Sequence, residues 1–96
     1  MPAPQQRSEP RRWLLRSGRL TPDDGGFSLR CTIIDISDHG ARVSVEHRVN
    51  LPSTLFLIDT RDRVAFRTSR VWSNAPEHGL RLLERIDLRR LEATDA

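Results

Sequence analysis

The sequence predicts an all-β domain, a closed barrel or a sandwich, and three observations lead there. Short runs rich in Thr, Val, Ile and Leu recur along the 96 residues, each bounded by Gly, Pro, Asn or Asp. One run alternates strictly, with Ala41, Val43 and Val45 set against Arg42, Ser44 and Glu46, which is the period of a half-buried strand. The length allows one domain with one core, and closing a sheet on itself removes the exposed edges of a small β domain.

Residues 1–10 hold three prolines and no hydrophobic period, the composition of a flexible arm. Trp13 to Leu20 is the first strand, with an arginine cluster at its start. Thr21-Pro22-Asp23-Asp24-Gly25-Gly26 is a turn by composition. Ser28 to Ile36, rich in Thr, Ile and Cys, suits a strand. Asp38-His39-Gly40 turns the chain into the alternating strand at Ala41, and Asn50-Leu51-Pro52-Ser53 breaks it. Thr54 to Ile58 and Val64 to Trp72 form a strand pair around the polar turn Asp59 to Asp62. Asn74-Ala75-Pro76-Glu77 turns again, and Gly79 to Leu83 is the last strand. Glu84 to Ala93 has helical composition. The domain is expected over residues 11–92, with 93–96 as a tail.

All sixteen basic residues are arginine, whose planar fork of donors suits phosphate and the guanine edge. The formal net charge of +3 steers anions only weakly. Residues 7–20, however, hold five Arg against one Glu, which favours a local anion site over a charged coat. One cysteine, Cys31, excludes an internal disulfide; its alternation with Ile33 predicts a buried thiol. No apolar run approaches the ~18 residues that span a membrane. The stretch Met1 to Arg7 lacks the apolar core of a signal peptide, so a bacterial-type cytoplasm is the expected compartment.

Two motifs carry the functional reading. Arg12-Trp13-Leu14-Leu15-Arg16 reads R-x-x-x-R, and Asp35-Ile36-Ser37-Asp38-His39-Gly40 reads D-x-S-x-x-G. The first is weak alone: five such arginine pairs occur in the chain, against about 2.5 by chance. The second is rare, with a chance expectation of about 0.03. In this order, with strand-like runs on both sides of the second, the pair resembles the PilZ domain, a bacterial receptor for the second messenger cyclic di-GMP. The resemblance runs from Arg11 to Leu91 and includes Cys31 to Ser37, Arg70-Val71-Trp72, Gly79-Leu80-Arg81-Leu82 and Ile86 to Leu91. It implies a six-stranded antiparallel β-barrel with a short C-terminal helix.

The resemblance also implies a ligand site. A receptor for this dinucleotide needs cations for two phosphates, donors for guanine edges and a flat surface for a purine. Arg12 and Arg16 would clamp phosphate or read guanine. Asp35 would accept from a guanine edge or orient an arginine, and Ser37 would donate to phosphate or accept from an amide. Gly40 would allow a positive φ and close backbone approach. Arg11, Trp72 and Arg42 are further candidates: a third cation, a stacking ring or core residue, and a phosphate cation or solvated charge. Trp13 is open to either a shielding or a core role. On this reading no cofactor is needed. The domain would act alone as a receptor, and ordering of its N-terminal arm would change the surface shown to a protein effector. It would be a monomer or a dimer.

The residues leave alternatives open. Arg12 and Arg16 can be read as a plain basic tail, and Asp35 to Gly40 as a plain hairpin turn. A ligand-free adaptor with the same fold is one alternative function, and a small nucleic-acid-binding barrel is another. Two Trp and three Phe without basic/aromatic alternation give the latter no stacking platform. Catalysis is not expected: Asp35, Ser37 and His39 along one strand do not give triad geometry. Cys31, His39, His47 and His78 show no metal-ligand spacing.

Overall fold

The computed structural model describes the backbone of residues 12–90 and the side chains of residues 15–90. Among the described residues there are six strands: β1 (Arg12–Pro22), β2 (Leu29–Ile36), β3 (Gly40–Ser44), β4 (Thr54–Asp59), β5 (Val64–Asn74) and β6 (Glu77–Asp87). All pairs are antiparallel, and they close a barrel in the order β1-β2-β3-β6-β5-β4. The barrel expected from the sequence is the one observed. The arm 1–10, Arg11 and the tail 93–96 lie outside the described residues.

The core follows from period-two alternation. Leu20, Cys31, Ile33, Val43, Leu55, Leu57 and Leu80 meet inside the barrel and are nearly inaccessible to solvent. Leu51, in the break before β4, caps this cluster. The Thr68 hydroxyl is fully buried and donates to the Leu55 carbonyl at 2.9 Å, which removes the cost of burying it.

Two expectations need correction. Glu84 to Asp87 is strand, not helix: these residues continue β6 opposite Val64 to Arg67 of β5, and the helical stretch covers 88–90 among the described residues. Glu and Arg favour helix, but the open edge of β5 offers ladder hydrogen bonds, and that tertiary context overrides the weak propensity. Gly40 does not use a positive φ. Among the described residues the glycine with positive φ is Gly25, and Gly40 is the extended first residue of β3, opposite Arg81.

The strands are irregular in an ordered way. Ile34 is an extra residue of β2 between Ile33 and Asp35, and Val71 is an extra residue of β5 between Arg70 and Trp72. Leu83 is extra on β6, and β1 carries one extra residue between Trp13 and Arg16. Each such bulge moves the next side chain to the opposite face of the sheet.

Candidate functional site

The bulges assemble the site. Ile33 pairs with Val43 and both point into the core. After the bulge at Ile34, Asp35 pairs with Arg42 on the outer face. The bulge at Val71 likewise places Trp72 opposite Gly79. Arg42 is opposite Gly79 in turn. One cross-strand row therefore reads Asp35, Arg42, Gly79, Trp72 across β2, β3, β6 and β5. Trp13 of β1 continues the row in backbone register with Asp35.

This row lies in an open cleft of about 830 Å³. Ser37, His39, Gly40 and Arg81 also line it, and the two exposed bulge residues Val71 and Leu83 form an apolar border. Gly79 leaves room for the ring of Trp72, because a β-carbon at residue 79 would collide with the indole. Trp72 is 41% exposed and outside the core. An exposed indole beside cations is suited to stacking on a base.

Asp35 is buried, with 3% of its surface exposed. Its Oδ2 accepts from Arg42 Nε at 3.1 Å and lies 3.0 Å from Arg42 Nη2, a two-pronged pair that fixes the guanidinium. Arg42 Nη1 reaches Glu77 Oε1 at 3.4 Å. Arg42 is thus a positioned cation on the cleft wall rather than a freely solvated one. Ser37 closes the β2–β3 turn: its N–H donates to the Gly40 carbonyl at 2.8 Å, and its hydroxyl makes a long 3.4 Å contact to the same oxygen. A hydroxyl there can both donate and accept. The segment is indeed a hairpin turn, and its residues Asp35, Ser37, His39 and Gly40 also line the cleft.

The structure pairs the start of the first motif with the second and turns the Arg16 side chain elsewhere. Arg12 and Arg16 lie in strand β1, not in a tail. Arg12 is in register with Ile36, and its side chain, like all of Arg11, lies outside what is described. The Arg16 guanidinium is turned to the β4–β5 turn, where Nη1 donates to Asp59 Oδ2 at 2.7 Å and to Asp62 Oδ2 at 2.8 Å. The hydrogen bond to Asp59 raises its pKa, with the charges of both carboxylates adding to the effect. Arg16 is therefore not brought to Asp35 and Ser37 in this structure.

Arg81 is the residue that sequence reading missed. It projects from β6 opposite Gly40, and its side chain makes no hydrogen bond or ion pair among the described residues. It belongs to the R-x-x-x-R pair Arg81/Arg85, yet that pattern is too frequent here to mark it. The register with Gly40 does so.

The fold and cleft define a small closed antiparallel barrel whose outer wall carries an acid-held arginine, a second arginine and an exposed indole. The chain belongs to the PilZ domain family, whose model matches residues 5–93. PilZ domains are a family of cyclic di-GMP receptors rather than enzymes. No curated protein matches the chain. No described helix is long and apolar enough to cross a membrane. No group of three His, Cys, Asp or Glu among the described residues is placed to hold a metal ion.

Proposed function

We propose that the outer-face cleft binds cyclic di-GMP and that the domain is a stand-alone receptor. The observation that supports this most directly is the row Asp35, Arg42, Gly79, Trp72, which sets an oriented cation and an exposed indole on one face of the sheet with only Gly79 between them. Arg81 and Arg42 meet phosphate or guanine O6 and N7. Asp35 acts by holding Arg42, Ser37 accepts or donates at the turn, and Trp72 stacks on a purine. Arg12 and Arg16 supply the remaining cations, with Arg11 as a third, when the N-terminal arm orders over the cleft. That ordering alters the surface presented to a protein effector. The exposed Val71 and Leu83 on the cleft border give such a partner apolar area.

Isothermal titration with cyclic di-GMP, with GTP and cyclic GMP as controls, tests the reading. Saturable and selective binding is expected, weakened about 10- to 150-fold by Arg12→Ala and by Arg16→Ala, the loss of a charge-assisted bond. Flat heat from a folded sample would leave the ligand-free adaptor. A steep fall of affinity with salt on polynucleotide would point to the nucleic-acid barrel instead.

A further inference from the structure

Arg16 stands at an intersection of three observations. It pairs with two carboxylates at the barrel end, 2.7 Å from Asp59 and 2.8 Å from Asp62. The residue before it, Leu15, has φ +46° and is 72% exposed. A β-branch-free but bulky Leu in that region stores strain and gains nothing from burial. Both residues lie at the β1 bulge, and a one-residue change in a bulge transfers a side chain from one face of a sheet to the other.

Asp59 and Asp62 differ in kind. Asp59 is buried and its Oδ1 already accepts from the Arg61 and Asp62 amides, so it is part of the turn itself. Asp62 has a half-exposed side chain, and its Oδ2 meets Arg16 alone among the contacts described for it. The same turn is tied to the C-terminal segment: Arg89 donates twice to the Asp62 carbonyl, and the Leu88 amide donates to the Arg63 carbonyl.

We propose that Asp59 and Asp62 form a latch that competes with the nucleotide for Arg16. In this structure the latch is closed. Binding draws Arg16 out through a shift of the Leu15 bulge, and the freed turn loosens its hold on residues 88–90. Asp62 thereby sets the affinity of a cleft it does not line, and the C-terminal segment senses occupancy. This rests on the receptor reading above.

Titration of cyclic di-GMP into the full chain tests it with wild type, Asp62→Asn and Glu84→Gln, the last removing one charge from an exposed β6 position as a control. Removing a competing surface pair should tighten binding about two- to fivefold in Asp62→Asn, and by less in Glu84→Gln. Binding by Asp62→Asn with none by wild type would also support the latch. Equal or weaker binding by Asp62→Asn, or an equal gain in Glu84→Gln, would overturn it while leaving the receptor reading intact. Absence of binding by all three folded proteins would remove the receptor reading and the latch with it. Amide exchange gives a second readout: saturation should speed exchange at residues 59–63, and unchanged or slower exchange there would overturn the proposal.

Discussion

The indole of Trp72 occupies the space that a side chain on Gly79 would need. Gly79 is therefore part of the aromatic wall of the cleft. Trp72→Ala should weaken cyclic di-GMP about 5- to 150-fold, the range for losing one base–aromatic stack. Gly79→Ala should displace the ring without removing it and cost about fivefold. Titration gives the affinities and tryptophan fluorescence reports the displacement. Full affinity in both variants would take Trp72 out of the site.

Arg81 lies two residues along β6 from Gly79 and is solvent-exposed in the cleft. Arg81→Ala should reduce affinity about tenfold or more, as a lost charge-assisted bond, with no change in melting temperature. A drop in stability with affinity intact would make it a structural residue.

The pair of Asp35 and Arg42 should matter to the fold as well as to the site. Arg42→Ala removes the two-pronged ion pair from a buried carboxylate. Breaking a buried pair costs ~3–5 kcal/mol, but Arg42 is 31% exposed and screening reduces that to about 1–3 kcal/mol. Urea unfolding measures it. Asp35→Ala should lose nucleotide affinity because Arg42 loses its two-pronged anchor.

His78 is buried with Nδ1 2.7 Å from the Ser73 hydroxyl. Its Nε2 has no partner among the described residues. Desolvation, and then the charge of Arg70, push its pKa below the ordinary 6.5. The unfolded chain thus takes up the proton more readily than the folded one. The contribution to stability is complete above about pH 6.5 and declines as pH falls through that value. Melting temperatures between pH 8 and 5 should show the decline, and His78→Asn should flatten it. An unchanged slope in the variant would assign the decline to other groups.

Cys31 is 4% exposed, and burial pushes its thiol up to about 12. At pH 8 the native protein should resist thiol reagents, because the thiolate is the reactive form. Labelling should appear with urea in step with unfolding. Rapid labelling of the folded protein would place the thiol at the surface.

The strands were legible because Ala41 to Glu46 and their neighbours alternate and Gly, Pro, Asn and Asp mark their ends. The candidate acid and hydroxyl were legible because Asp35, Ser37 and Gly40 keep a rare spacing. What stayed hidden depends on register. Arg81 is an ordinary strand arginine until β6 is laid beside Gly40. The partners of Arg16 come from 43 and 46 residues away, beyond any local pattern. The end of β6 carries helical preference at Glu84 and Arg85, and only the presence of β5 alongside reverses it.

The extra residue at Ile34 makes the site a matter of parity. Counted from the core residue Ile33, Asp35 falls on an even step, and a regular strand would deliver it to the oily interior. One surplus residue converts even to odd and puts the carboxylate outside, next to Arg42. A chain could therefore carry every letter of D-x-S-x-x-G and still have no site, if its strand lacked that one unmarked residue upstream. For sequences of this kind, the count of residues between the last core position and the acid is as informative as the motif.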